Sequence, residues 1–324
     1  MTNCGHSSES CCTSLEVAGG SFFRTYTNDG DGGGGEADPA TVSGFRLDKY
    51  LVTVGRFRQF VNAVWPADGG AGWSPPAGSG KHAHLNGGLG LVDVGAAADA
   101  GTAYEPGWDA TNWNPYIAPS SANLACGGSN GPSTWTSLPG SQENLPINCV
   151  NWYQAYAFCI WDGGFLASEA EWEYVAAGGD KQLEYPWGSS PPGTASQYAI
   201  YGSYYPSGSA SYTGIANVAP VGTATAGAAS WGQLDMAGEF WQWNLDWATA
   251  AYVNPCVDCA AATGGGAYGR GNRGGTFASL SAGPTQPLLQ PNYGGGNLPA
   301  SPQYLAGAFR CARTPKEEVA LGSR

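Results

Sequence analysis

Only three stretches of this 324-residue chain carry apolar residues at helical spacing, and that scarcity constrains the fold more than any other feature. Val54, Phe57, Val61 and Val64 make the first, with Thr53 as its N-cap and Pro66 as its stop. Trp152, Ala155, Tyr156 and Cys159 fall at i, i+3, i+4 and i+7, so they face one side of a second helix, which Gly163-Gly164 halts. Ser168-Glu169-Ala170-Glu171 is a capping box. Ser168 caps the third helix, Glu171 reaches back, and Trp172 and Val175 supply the apolar face. Helix then covers roughly a tenth to a sixth of the chain, far below the usual third. The remainder reads as short strands and turns, among them a strand from Val17 to Phe23, a loop tip over 28–35 and a half-buried strand from Thr41 to Leu47.

Composition narrows the function classes. Gly accounts for 51 residues without a period, which excludes collagen, while 13 Trp and 17 Tyr exclude a disordered chain. Charged residues are 12% and the net charge is −12, so neither nucleic acid nor an anionic membrane is an expected partner. No run of 18 apolar residues is present, so no membrane-spanning helix is expected. The expected organisation is a Cys-rich arm over 1–16 and one domain over 17–324. That domain carries a long, periodless insertion at about 67–141. Trp73, Trp108, Trp113 and Trp135 in the insertion are either anchors or rings exposed for a sugar or peptide surface. His82 and His84, two residues apart with no carboxylate beside them in the chain, read as solvated loop residues.

Nine cysteines point to an oxidising compartment with an odd thiol left over. The expected location is secreted, periplasmic or cell-surface, with the export signal already removed. Cys256-Val257-Asp258-Cys259 is open to three readings: a zinc half-site, a redox motif or a local disulfide. With no second such motif and no helix after it, the disulfide is favoured. Cys126 and Cys149 form a plausible pair, and Cys4, Cys11 and Cys12 leave one bridge plus a free thiol or an intermolecular link.

Five blocks in order carry a family resemblance. They are Val17-Ala18-Gly19-Gly20-Ser21-Phe22; Phe45-Arg46-Leu47-Asp48-Lys49-Tyr50 with Val52-Thr53; and Asn151-Trp152 through Ser168-Glu169-Ala170-Glu171-Trp172-Glu173-Tyr174. The last two are Trp231 through Trp243, and Arg273-Gly274-Gly275-Thr276-Phe277 with Ala308-Phe309-Arg310-Cys311. The chain resembles the formylglycine-generating enzyme, or sulfatase-modifying factor, family. The resemblance implies an α+β fold, a variant of the C-type-lectin fold with short antiparallel strands, two or three helices and much loop. The same fold serves oxidation of a sulfatase Cys, sulfoxide synthases, siderophore-chromophore enzymes and diversified binding proteins, so it does not settle function.

Carried residue by residue, the resemblance argues against the family's copper chemistry. The positions of its paired copper-binding Cys are Ser279 and Pro284 here, and neither side chain is a thiolate. Nor is an iron site of three His expected, because only His6, His82 and His84 exist. The family's calcium segment falls on Ala237, Gly238, Phe240 and Gln242, with Gln242 replacing a Glu and Glu239 replacing an Asn, so calcium is the one cofactor the resemblance leaves open. Its other calcium site falls near Ile200 and is expected to be lost. Cys159 and Cys311 match positions that some members join. The implied groove runs along Trp241, Trp243, Thr276, Phe277 and Ser279, although core is the plainer reading of the two Trp. The segment 279–305, neutral and Pro/Gly-rich, lines that groove in the family. The expected function is binding of a protein, peptide or glycan without formylglycine generation. The alternatives are an oxidoreductase with a non-standard site around Thr276, Ser279 and Trp241, or a self-assembling surface protein, so a homo-oligomer is among the expected states.

Overall fold

The computed structural model describes residues 2–5, 9–27, 34–66, 71–95, 103–126, 132–248, 251–264, 269–279 and 306–316, with short strand pieces at 282–283, 286–287 and 294–297. Its main elements in chain order are β1 (Ser14–Val17), β2 (Gly20–Thr27), β3 (Gly34–Val42), β4 (Phe45–Asp48), α1 (Val54–Val64), α2 (Trp152–Trp161), β5 (Phe165–Leu166), α3 (Glu169–Ala177), β6 (Trp241–Trp247), β7 (Cys256–Val257), β8 (Arg270–Arg273), β9 (Gly294–Asn297), β10 (Ala306–Ala308) and β11 (Cys311–Arg313).

One sheet is antiparallel throughout in the order β1-β4-β11-β5, so both ends of the domain meet in it. A second has the order β9-β8-β6-β10, and a third the order β7-β3-β2. The pairing is mostly antiparallel, as expected, but β10 runs parallel to β6 and β7 parallel to β3. Both pairs join segments far apart in sequence, which leaves room for the crossover that parallel pairing requires. The strand expected from Val17 to Phe23 is two strands parted by a turn, and the one expected over Thr41–Leu47 breaks at Ser43-Gly44. At that crossing a Cβ on Gly19 would lie 2.5 Å from the Val42 carbonyl oxygen, so only Gly permits the approach.

The helices start where their caps dictate. Thr53 Oγ1 accepts the Arg56 N–H at 3.2 Å, and Asn151 and Gln154 form a capping box on α2. In α3 Ser168 Oγ accepts the Glu171 N–H and Glu171 Oε2 accepts the Ser168 N–H, and Gly178 ends the helix with φ +71°. Between α1 and α2, Phe57 stacks on Phe158 at 5.9 Å, and Phe309 packs edge-on against both. The insertion closes over this cluster. Trp73 meets Phe60, Trp135 meets Phe57, and Trp113 bridges Trp108 and Trp152 at 5.3 and 5.4 Å. Trp108 is therefore a core anchor, and Trp73, Trp113 and Trp135 are half-buried against the same core, held by edge-to-face packing on α1 and α2.

Four disulfides, Cys4–Cys11, Cys126–Cys149, Cys159–Cys311 and Cys256–Cys259, staple the chain, and Cys12 is free and exposed. Among the described residues no helix is long and apolar enough to cross a membrane.

Candidate functional site

β8 ends in Arg273-Gly274-Gly275, and the two glycines turn the chain with φ of +101° and +74°. A Cβ on Gly274 would lie 2.8 Å from the Met236 carbonyl oxygen, so the turn is reserved for Gly. The chain then folds on itself through hydroxyls. Thr276 Oγ1 and Ser279 Oγ lie 3.0 Å apart, Ser279 Oγ accepts the Thr276 N–H at 3.1 Å, and Thr276 Oγ1 accepts the Ala278 N–H at 3.2 Å. Two backbone bonds tie this turn to the 201–221 loop: Gly202 N–H to the Ser279 carbonyl and Ser203 N–H to the Phe277 carbonyl. Asn217 organises that loop. Its Nδ2 donates to the carbonyls of Ser203, Tyr205 and Ser211, and its Oδ1 accepts from Thr213.

The expected groove residues divide. Phe277 is fully buried against Phe240, Thr276 is buried, and Trp243 is buried with its Nε1–H donated to the Val150 carbonyl. These three are floor or core, not ligand-facing surface, because their ring faces and donors are already satisfied. Trp241 and Ser279 remain partly open. Tyr212, absent from the sequence expectation, is 56% exposed and lies nearly parallel over Phe277 at 6.0 Å. Pro284 and most of 280–305 lie outside the described residues. Ser279 shares its hydroxyl with Thr276, and no His or carboxylate contacts it among the described residues.

Below the turn, Glu239 is buried with φ +61°, and its Oε1 accepts the Ala219 N–H at 3.2 Å. Burial, with the Asp235 charge nearby, pushes its carboxyl well above the usual range. The expected calcium segment is occupied by protein groups. Gln242 Oε1 accepts Trp172 Nε1–H and Arg310 Nε–H, both at 2.9 Å, while its Nε2 donates to the Asp235 and Met236 carbonyls. The one side-chain oxygen expected to bind the ion is thus doubly engaged, and Arg310 places a positive charge beside it. The set Ala237, Gly238, Phe240 and Gln242 does not fit calcium.

Three buried ionic clusters surround this floor. Arg273 pairs with Glu169 and reaches Glu173 at 3.6 Å, and Tyr252 Oη donates to Glu169 at 2.9 Å. Burial, reinforced by the Glu169 charge, drives Glu173 well above the carboxylate range; in Glu169 burial is the largest influence, but the Arg273 charge together with the hydrogen bonds from Glu173 and Tyr252 overcomes it and holds the carboxyl down. Arg56 and Arg313 together neutralise Asp48 and Asp162. Cys311 lies near those two acids, but its sulfur is in a disulfide and two guanidinium groups occupy the carboxylates, so the cluster is an ion network and not a metal site.

The third cluster corrects the reading of the histidines. His82 is wholly buried, its Nδ1 3.0 Å from Glu105 Oε1 and its Nε2 3.0 Å from Glu171 Oε2. Burial opposes its charge, but the two carboxylates outweigh burial and lift it to about 10, so it is an imidazolium. His84 packs on Phe165 and is half-buried, and burial pushes it down. Neither is a solvated loop residue. Glu105 stands 23 positions from His82 and Glu171 stands 89 away, so adjacency in the chain could not reveal them.

Residues 4–315 match the model of the sulfatase-modifying factor enzyme 1-like domain. A formylglycine-generating enzyme from Thermomonospora curvata is 32% identical over 71% of this chain and 70% of its own length. The mouse protein named inactive C-alpha-formylglycine-generating enzyme 2 is 27% identical over 94% of this chain and 88% of its own. The match to the mouse formylglycine-generating enzyme, 28% identical over 64% of this chain, spans only half of that protein's length. Among solved structures, PvdO from Pseudomonas aeruginosa superposes with a TM-score of 0.54 at 17% identity, over 93% of this chain and 94% of its own, a likeness of fold alone. With few helices, short sheets and this match across nearly its whole length, the chain belongs to the sulfatase-modifying factor family and has its C-type-lectin-like fold.

Proposed function

We propose that the chain uses this scaffold to bind a protein, peptide or glycan along Tyr212, Trp241 and Ser279, outside the cell or at its surface, and that it does not generate formylglycine. The thiol inventory carries this reading. Eight of the nine cysteines are paired, and the ninth, Cys12, belongs to the N-terminal hairpin region and acts electrostatically on Arg56, not on the Thr276–Ser279 turn. A soft-metal site made of two thiolates therefore has no donors at the turn. The relative named inactive, matched over most of the chain, supports the same reading. An open tyrosine ring backed by a buried phenylalanine offers the flat apolar face that sugars and aromatic peptide side chains stack on.

The test has two arms. The purified protein, supplied with copper(I) and a Cys-containing peptide, is assayed with an aldehyde-reactive probe; no aldehyde is expected, and catalytic turnover would refute the proposal. Immobilised glycan and peptide arrays are then probed with the wild type and Tyr212→Ala. Loss of the retained spots in a variant whose melting temperature is unchanged is expected, and retention of every spot would place binding elsewhere.

A further inference from the structure

No charged residue and no His stands between Glu184 and Asp235, and none stands between Arg273 and Arg310. These are the two longest charge-free gaps in a chain that holds 25 acidic and 13 basic residues. The fold joins them. The N–H groups of Gly202 and Ser203 donate to the carbonyls of Ser279 and Phe277, and Tyr212 lies over Phe277. Asp235, Arg273 and Arg310, which bound the gaps, are buried, and so is Glu239 beneath the joint. The charges nearest the joint in sequence are thus withdrawn from its surface.

From Ser203 to Thr213 the joint presents a loop made only of Ser, Tyr, Pro, Gly, Ala and Thr. Pro206, Ser207, Ser209, Ser211, Tyr212 and Thr213 are exposed. Its backbone is nevertheless pinned. Buried Asn217 binds the carbonyls of Ser203, Tyr205 and Ser211. Gly208 N–H donates to the Tyr204 carbonyl, and Ser211 N–H to the Ser203 carbonyl. Tyr204 packs edge-on against Tyr201 at 5.3 Å, and Tyr201 shares a buried cluster with Tyr185. A loop held in this way has little order left to lose when a ligand binds.

The chemistry on offer is ring face and hydroxyl. Ser, Thr and Tyr hydroxyls both donate and accept, as the hydroxyls of a sugar do, while an aromatic face packs on a sugar's C–H face. A carboxylate only accepts and an ammonium only donates. Either would give up hydration here without meeting an opposite charge. Peptide and protein surfaces carry many such groups, since about a quarter of residues are charged. An uncharged sugar carries none, so charge complementarity favours it.

We propose that this charge-free face binds an uncharged polysaccharide, its sugar rings packed on Tyr212 and hydrogen-bonded by hydroxyls of the 203–213 loop. The inference rests on Tyr212 as a ligand-facing residue and narrows the ligand class at that site.

The whole chain is titrated by calorimetry with dextran, mannan, laminarin and soluble starch, and with the polyanions heparin and alginate. Binding of at least one neutral polymer is expected, with an affinity that is unchanged between low and molar salt, and no binding of either polyanion. Tyr212→Ala should bind the neutral polymer about tenfold more weakly at an unchanged melting temperature, the loss of one packed ring. Tyr212→Phe, which keeps the ring, should retain most of the affinity. Failure of all four neutral polymers overturns the proposal, as does binding of a polyanion that weakens with salt. If the neutral polymers fail while an array peptide is held by the wild type and lost by Tyr212→Ala, the ligand class is wrong and the site stands. If a neutral polymer binds wild type and Tyr212→Ala equally, the site itself is wrong.

Discussion

Replacing His82 by Gln removes one positive charge from between two buried carboxylates, and the expected loss can be worked from the geometry. His82 is fully buried, Glu105 and Glu171 are nearly so, and both contacts are 3.0 Å. Breaking a buried pair by removing one partner costs about 3–5 kcal/mol. Protonation gives an independent figure. The folded group titrates at about 10, against 6.5 unfolded, because the Glu171 and Glu105 charges overcome burial. Each pH unit of that difference corresponds to about 1.4 kcal/mol, so the charge contributes on the order of 5 kcal/mol. A raised folded value means that this contribution is complete below pH 6.5 and is lost as pH climbs from 6.5 to about 10. Between pH 7.5 and 9.5 the folded imidazole holds a proton that the unfolded one has released. Wild-type stability should then fall by about 1.4 kcal/mol per pH unit from this group alone. Urea denaturation of wild type and His82→Gln with disulfides intact, at half-unit steps from pH 6 to 10, isolates the group as the difference between the two curves. That gap should be several kcal/mol at pH 6 and shrink steadily by pH 9.5. A gap under about 1 kcal/mol at pH 6, or one that does not change with pH, would refute the buried imidazolium.

Other consequences are as direct. Replacing Cys159 and Cys311 by Ala opens a link across 152 positions and should cost about 4–5 kcal/mol by chain entropy, read as a lower denaturation midpoint. A thiol reagent on the native protein should titrate one thiol per chain, and Cys12→Ser should abolish it. Gly274→Ala forces a Cβ to 2.8 Å from the Met236 carbonyl oxygen at φ +101° and should destabilise by at least about 1–3 kcal/mol, read by thermal melting. Millimolar calcium and a chelator should give the same melting temperature, since Trp172 and Arg310 already hold the Gln242 oxygen; a clear rise in calcium would show that the segment opens to admit the ion.

What the sequence disclosed was what local chemistry determines. The Ser168–Glu171 capping box reports its own helix start, because both partners lie within one turn. The cysteine count fixed an odd thiol before any partner was known. The insertion was opaque for the opposite reason: its Gly, Ala and Pro give no period, so nothing local says which way Trp108 or Trp113 points. One signal was nevertheless available. Glu105 is the only Glu between residues 67 and 141, in a segment poor in charge that also holds the His82/His84 pair. Glu is seldom buried without a partner, so the one Glu in a segment that also holds both of its His is a candidate partner for them, although Asp68, Asp93, Asp99 and Asp109 share the segment. Tyr212 left no comparable trace, because its place over Phe277 depends on the Asn217 hydrogen bonds and on Ser203 reaching the Phe277 carbonyl, contacts made across the fold.

The distribution of charge ties the fold to the kind of ligand it suits. Five of the 13 basic residues, Arg24, Arg56, Arg270, Arg273 and Arg310, are buried, each bonded to carbonyls, carboxylates or ring faces of the domain itself. Cations are thus withdrawn from a chain that has few, and the surface left behind is acidic and sparse in Arg and Lys. Such a surface neither gathers counter-ions from polyanions nor steers anionic substrates over long distances. Around the Thr276–Ser279 turn the protein presents an open ring, a half-open indole and a hydroxyl. The binding proposed there would rest on stacking and short-range hydrogen bonding, which select by shape and remain effective at high salt. The same arginines that make the site neutral also make it rigid, because Arg310 fixes the Leu234–Asp235 backbone and Arg273 fixes α3 against β8, the two supports from which the turn projects.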